Sequence, residues 1–322
     1  MMGNKLPLYF ERAVIEVNGG CNYTCEMCPQ TNPGRPKGFL RKMPLDEFRR
    51  YVEECFQHGL KVVNLEGSGE ATLNRDLPEY IKIVSDYGVK SYIFSNGFKF
   101  KGQFMEECVD AGLSYMRLSV IGYDRETYKR WMDRDAFNII IDNAIQAQDY
   151  IKNNNKQTTL ASYHLILDND KQDYEVEQYK KNFIEVCQTR AEIWKMHNWS
   201  GVYENPNERI GGVKTCGRPF APEITIRAGG LNGSSGAVHP CCQVLGRDEE
   251  AVLGHLSDNT VEQVWNGEEY RKLRQGHLDG NYPSYCKDCD FLIEDPEILI
   301  YTNHNRAIDK IAGTDFDLGD YK

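Results

Sequence analysis

The sequence predicts an α/β fold, an open partial α/β barrel or a doubly wound parallel sheet, followed by a small loop-rich unit tied together by cysteines. Three observations predict it. Six short apolar, strand-like segments alternate with amphipathic helical segments over the first two-thirds of the chain. The alternation stops near Ser200 and gives way to Pro206, Gly211, Gly212, Pro219, Pro222 and the glycines between Gly229 and Gly236. Eleven cysteines are unevenly spread, three between Cys21 and Cys28 and five between Cys216 and Cys289.

The strand segments are Arg12–Val17, Lys61–Glu66, Ser91–Phe94, Tyr115–Val120, Leu160–Leu167 and Glu192–His197, most of them rich in β-branched, leucine and aromatic residues. Thr31–Pro36, with two prolines and a glycine, breaks the first connection. Leu45, Phe48, Val52, Cys55 and Phe56 then form one apolar helical stripe, and Leu77, Tyr80, Ile81 and Val84 form another. A long helix begins near Ala136 and closes at Asn153–Asn155. In a sheet of βα units, chemistry belongs at the C-terminal ends of the strands. The unusual residues fall there: the cysteine loop after strand one, Gly67–Glu70 after strand two, Ser95–Gly97 after strand three, and Ser119 in strand four.

The bulk composition narrows the function classes. Net charge is -10 over 322 residues. A general nucleic-acid or membrane-surface binder needs a basic face, so neither partner is expected. No stretch approaches the roughly 20 apolar residues of a membrane span. Met1 to Phe10 lacks the charged start and apolar core of a signal peptide. The expected location is cytoplasmic, where structural disulfides are rare. Metal ligation is then the natural use of the cysteines.

Cys21-Asn-Tyr-Thr-Cys25-Glu-Met-Cys28 places three thiolates within eight residues, directly after a strand. A loop can aim them inward without unwinding an element. Thiolates are soft ligands for iron–sulfur clusters or zinc. Three ligands on a four-iron cluster leave one iron open for chemistry. A zinc completed by a distant histidine is the alternative, although zinc motifs more often show paired cysteines or histidines.

This spacing resembles the signature of the radical S-adenosylmethionine (SAM) superfamily. Three further segments match in order. Glu66-Gly67-Ser68-Gly69-Glu70 is similar to the family's Gly-Gly-Glu segment after strand two. Ser95-Asn96-Gly97 resembles its Ser/Thr-Asn-Gly turn, and Leu118-Ser119-Val120 its fourth-strand segment. Singly, each has a structural reading as a common turn or strand end. Met27 departs from the pattern, since an aromatic commonly precedes the third cysteine; it is expected to pack near adenine. The resemblance implies a partial (β/α)6 TIM-like barrel over residues 10–203. It also implies that Cys21, Cys25 and Cys28 hold a [4Fe–4S] cluster whose open iron chelates SAM. Gly69, Glu70, Ser95, Asn96 and Ser119 would bind SAM, a carboxylate suiting its ammonium. Reductive cleavage would then yield a 5′-deoxyadenosyl radical that abstracts hydrogen from a C–H bond.

Cys216, Cys241, Cys242, Cys286 and Cys289 occupy the loop-rich region, with Cys286-Lys-Asp-Cys289 as a Cys-x-x-Cys pair. A structural zinc would suit four of them. The region resembles the shortened, Twitch form of the SPASM auxiliary-cluster domain, expected over residues 204–295, with a tail over 296–322. By that resemblance Cys216, Cys241, Cys286 and Cys289 ligate a second [4Fe–4S] cluster. The family's Gly-x4-Cys spacing, counted from Gly236, favours Cys241 over Cys242.

The expected substrate is a small polar metabolite, sugar- or aminocyclitol-like, because strand one starts near Arg12 and leaves no room for a preceding peptide-binding domain. Either oxidation or epimerisation fits, and peptide modification is the alternative. Epimerisation needs a free cysteine as hydrogen donor; Cys242 and Cys187 are the candidates, while Cys55 and Cys108 read as core. His164, Lys195, His197 and Trp199 are positioned for substrate contacts. His239 and His255 are placed to tune the second cluster. A one-electron donor such as flavodoxin or ferredoxin is implied. A non-catalytic iron–sulfur or zinc-binding protein is the competing class, and the SAM motifs argue against it.

Overall fold

The computed structural model describes residues 6–205, 211–212, 215–293 and 298–304. The six expected strands form with small boundary shifts: β1 (Arg12–Ile15), β2 (Val62–Asn64), β3 (Lys90–Ser95), β4 (Tyr115–Ser119), β5 (Thr159–Ile166) and β6 (Arg190–Lys195). They are joined by α1 (Leu45–Phe56), α2 (Leu77–Asp86), α3 (Gly102–Asp110), α4 (Arg125–Met132), α5 (Phe137–Asn153) and α6 (Gln172–Tyr179).

Amphipathic patterning explains the helices. α2 buries Leu77, Tyr80, Ile81 and Val84 as its spacing predicts. α1 departs slightly. Tyr51 joins Phe48, Val52 and Cys55 inside, while Phe56 at the last turn is 42% exposed. α4 begins with a capping box in which the Asp124 carboxylate accepts from Thr127 N–H at 2.8 Å.

Sheet order decides between the two architectures that the alternation left open. β1 to β6 lie side by side in chain order, all parallel. A doubly wound sheet would reverse its order at a switch point. Singly wound crossovers of one hand put the helices on one face, as in a (β/α) barrel, and leave the other face as an interior.

The barrel stays partial because other strands cover its edges. β7 (Glu223–Ile226) pairs parallel with β1, and β8 (Ala237–His239) and β9 (Gly254–His255) extend the sheet antiparallel. On the far edge β10 (Leu299–Thr302) pairs antiparallel with β6. Within the expected tail Leu299–Thr302 form this strand, and residues 296–297 and 305–322 lie outside the described residues. The cysteine-rich region does not make a separate sheet; it continues the one that starts in the barrel.

A candidate active site with two cavities

A pocket of about 320 Å³ opens at the C-terminal ends of the barrel strands. Strand parity decides its walls, because residues two apart share a face. Arg12 and Val14, Asn64 and Glu66, and Arg117 and Ser119 are such pairs, and all six line it. So do Gly69, Glu70, Ser95, Asn96, Lys195, His197 and Trp199, all expected from the sequence.

Glu70 is the hub of the glycine motif. Its Oε1 accepts from Thr72 N–H (3.0 Å), Thr72 Oγ1 (2.6 Å) and Ser95 Oγ (2.6 Å), and its Oε2 from Asn96 N–H (2.8 Å). Oε2 therefore keeps acceptor capacity for an ammonium. The motif is locked to the cysteine loop. Glu70 N–H donates to Gly20 O (2.8 Å), Asn18 Nδ2 to Glu70 O (2.9 Å), and Asn96 Nδ2 to Asn22 Oδ1 (2.9 Å). Gly69 is required by that closeness, since a Cβ there would lie 2.0 Å from Asn18 O.

Cys21, Cys25 and Cys28 follow on this loop. Cys28 N–H donates to Cys25 O at 3.1 Å, and Cys25 Sγ lies 3.8 Å from Met132 Sδ. Burial, then repulsion from Cys28 and Cys21, holds the Cys25 thiol well above its ordinary range. Such a set keeps its protons until a cation replaces them.

The loop is anchored by buried charges that the sequence reading missed. Arg35 Nη2 lies 3.0 Å from Glu16 Oε1 and 3.4 Å from Asp248 Oδ1, while its Nη1 donates to Gly19 O at 3.0 Å. Glu16 also accepts from Ser68 N–H (2.6 Å) and Ala228 N–H (3.3 Å). Five chain segments meet on one carboxylate and one guanidinium. No local sequence pattern announces such a long-range set.

A second, smaller cavity is lined by Cys216, Cys241, Cys286 and Cys289. These come from three distant stretches of chain, and each feels the charges of its neighbours; Cys286, pushed up mainly by burial, is next affected by Cys241, Cys289 and Cys216. The donor set is four soft sulfurs around one enclosed space, which fits an iron–sulfur cluster. Among the described residues no group of three His, Cys, Asp or Glu side chains is placed to hold a single metal ion.

Cys242 lies in the other cavity. It lines the main pocket, with Arg218 Nη1 3.5 Å from its Sγ. Arg218 lines both cavities. A tight reversal at Trp199, Ser200 and Gly201, with φ of 48°, 58° and 77°, divides them in the same way. Trp199 lines the main pocket and Ser200 the cysteine cavity. Consecutive non-glycine residues in the left-handed region are costly and mark functional sites.

Other expected residues lie outside the pocket walls assigned to them. His164 is fully buried and does not line the pocket. Its Nδ1 lies 3.2 Å from Gly122 N, its Nε2 3.5 Å from Glu175 Oε2, and its ring stacks on Tyr179 at 4.7 Å. It is a buried histidine that β5 turns toward α6, and its Nε2 makes no hydrogen bond at that 3.5 Å separation from Glu175. Met27 packs in the main core and is not in the pocket wall. Cys187 is buried, 4.0 Å from Ile141 O, and is likewise not in the wall. Neither His239 nor His255 lines the cysteine cavity; His239 Nδ1 faces Arg227 Nε at 3.2 Å, and His255 Nε2 accepts from Leu231 N–H at 3.0 Å. His277 lines it instead, its Nδ1 3.0 Å from Thr215 Oγ1. Arg12, Asn64, Arg117, Arg218 and Glu223, none expected, line the main pocket. Strand parity counted back from Ser119 and Glu66 reaches Arg117 and Asn64.

Among the described residues no helix is long and apolar enough to cross a membrane.

Residues 15–176 match the radical SAM superfamily, and residues 233–290 match the SPASM iron–sulfur cluster-binding domain. The chain is 22% identical over 309 residues to the PqqA peptide cyclase of Bradyrhizobium diazoefficiens, covering 86% of this chain and 78% of that one. It is 28% identical over 131 residues to a GTP 3',8-cyclase of Campylobacter jejuni, covering 39% of this chain and 40% of the cyclase. In fold it is similar to BtrN, solved in complex with AdoMet and 2-DOIA, with a TM-score of 0.59 at 15% identity over 93% of this chain and 99% of that one. It is also similar to Streptococcus suis SuiB bound to precursor peptide SuiA, with a TM-score of 0.62 at 13% identity, covering 82% of this chain and 66% of SuiB.

Proposed function

The chain belongs to the radical SAM superfamily and carries a SPASM/Twitch iron–sulfur domain, and on that premise we propose that it inverts a carbon centre of a small polar metabolite, sugar- or aminocyclitol-like. The observation that carries this reading is Cys242 in the wall of the main pocket while Cys241 lines the separate cysteine cavity. The same pocket holds Cys242 beside Gly69, Glu70, Ser95, Asn96 and Ser119, so SAM and substrate would share it.

SAM and a [4Fe–4S] cluster are the cofactors of this family, and the SPASM domain brings an auxiliary cluster. We assign Cys21, Cys25 and Cys28 to the first cluster, with an open iron, and Cys216, Cys241, Cys286 and Cys289 to the second. When bound, SAM and the reduced first cluster supply a primary carbon radical that accepts a hydrogen atom from the substrate. Glu70 takes the SAM ammonium on the free capacity of Oε2, with Gly69, Ser95, Asn96 and Ser119 shaping the same site. Lys195, His197 and Trp199 orient the substrate. Cys242 gives its thiol hydrogen atom to the substrate carbon from the opposite face. One electron from a flavodoxin- or ferredoxin-type donor and one proton from solvent restore the thiol. We divide the chain into a core over residues 10–203, an auxiliary portion over 204–295 and a tail over 296–322.

The match to a peptide cyclase over 86% of the chain supports a second reading, peptide modification. One experiment separates them. Reconstituted enzyme, SAM and dithionite are incubated in D2O with hexose phosphates, aminocyclitols or a synthetic peptide. A recovered small molecule that gains one deuterium supports epimerisation with Cys242 as donor. Loss of two hydrogens indicates oxidation, and a modified peptide with no change in the small molecules indicates the second reading.

A further inference from the structure

Five pocket-lining side chains carry a buried polar atom with no partner among the described residues: the acceptors Asn64 Oδ1 and Gln243 Oε1, and the donors Arg117 Nε, Arg218 Nε and Trp199 Nε1. Leaving a buried polar group unpartnered is costly, so a set of five around one pocket points to a ligand that pairs with them. Mixed acceptors and donors suit hydroxyl groups, which do both.

The charges are not evenly matched. Arg12 and Arg218 share Glu223 at 3.6 and 3.7 Å, both beyond hydrogen-bonding distance. Arg117 is clamped on both faces. Its guanidinium lies 3.6 Å from the Phe94 ring centroid and 4.4 Å from that of Tyr163. Its Nη1 is held 3.4 Å from Glu192 Oε2. The clamp leaves the Nε edge unspent. A planar guanidinium held in one orientation, its side chain 16% exposed and its buried Nε without a partner, suits bidentate pairing with carboxylate or phosphate. Stacking between two rings already removes the rotamer freedom that such binding would otherwise lose.

We infer that the substrate of this pocket carries an anionic group, phosphate or carboxylate, on a polyhydroxylated frame, and that Arg117 anchors that group. The inference rests on the small-metabolite reading above and narrows it. Asn64 Oδ1 then accepts from a substrate hydroxyl, beside Glu66, whose Oε1 is already bonded to Asn64 Nδ2 at 3.0 Å. An aminated substrate would instead place its ammonium on Glu66.

The test is equilibrium binding by calorimetry to the reconstituted holoenzyme with saturating SAM and no reductant. The probes are α-D-glucose 1-phosphate, D-glucuronate, D-glucose and D-glucosamine. At least one anionic probe is expected to bind about tenfold or more tighter than glucose, and which one it is separates phosphate from carboxylate. Arg117→Gln should erase that advantage while glucose and SAM affinities stay within about twofold. Arg117→Lys keeps a charge but not the fork, and should recover only part of the advantage; it also serves if the glutamine variant does not fold. Three results overturn the inference: glucosamine binds best, the anion preference is absent or survives in both variants, or SAM affinity falls with it, which would give the guanidinium to the SAM carboxylate. Because no turnover is required, an intact Arg117-dependent preference with no deuterium exchange would sink the epimerisation and leave the anchor standing.

Discussion

Cys241 and Cys242 are neighbours in the chain and open onto different cavities, Cys241 onto the four-cysteine space and Cys242 onto the main pocket beside Arg218. Cys241→Ala is therefore expected to lose the auxiliary cluster, falling from about eight irons per chain to about four. Cys242→Ala should keep about eight irons and still form 5′-deoxyadenosine, yet lose deuterium incorporation into the substrate. Iron analysis beside mass spectrometry reads both. Loss of four irons in the Cys242 variant would reverse the assignment.

Glu70 accepts four hydrogen bonds, and in the proposed site its remaining capacity takes the SAM ammonium. Glu70→Gln keeps the shape and removes the charge. SAM binding should weaken about tenfold, because charge-assisted bonds are roughly twice as strong as neutral ones. Glu70→Ala strands the Thr72, Ser95 and Asn96 donors and should cost about 3 kcal/mol or more of folding stability. Equilibrium SAM binding and denaturant titration check the two variants. Unchanged SAM affinity in Glu70→Gln would remove the carboxylate from the SAM site.

Arg35 joins Glu16 and Asp248 and holds Gly19 O of the cysteine loop. Arg35→Met removes the guanidinium from buried Glu16 and Asp248, leaving Glu16 only Arg227 at 3.8 Å as a charged partner, at a cost of about 3–5 kcal/mol. Since Gly19 lies two residues before Cys21, iron at the Cys21–Cys28 loop should fall more than iron at the auxiliary set. Separate spectroscopic quantification of the two clusters decides it, and equal loss at both would make Arg35 a general stability residue only.

His255 accepts the Leu231 N–H on Nε2, which requires the neutral ring. Burial lowers its pKa, and Asp258 opposes the shift only in part. The unfolded chain, with a histidine near 6.5, then binds more protons than the folded one below that pH. Stability from His255 is complete above about pH 6.5 and falls as pH drops toward the lowered folded value. Denaturant titrations at about pH 7.5 and about pH 5.5 should show a smaller acid loss in His255→Gln than in the parent. An identical acid loss in both proteins would mean that His255 does not contribute.

The sequence by itself determined the local and periodic features. Six strands, the α1 and α2 stripes, and the turns carrying Cys21–Cys28, Gly67–Glu70 and Ser95–Gly97 are all short-range patterns, set by side-chain spacing and backbone propensity. The tertiary structure decided what depends on residues distant in the chain. Parallel order without a switch point chose the singly wound architecture, and pairing of β7 with β1 merged the cysteine-rich region into the barrel sheet. His164 faced α6 rather than the pocket, bonded to Gly122 N–H and stacked on Tyr179 from other elements. Arg117 became a pocket wall because Phe94 and Tyr163 arrive from the two neighbouring strands. The separation of Cys241 from Cys242 is of the same kind. One residue of spacing cannot say which wall each thiol meets, and only the loops that bring Cys216, Cys286 and Arg218 to them can.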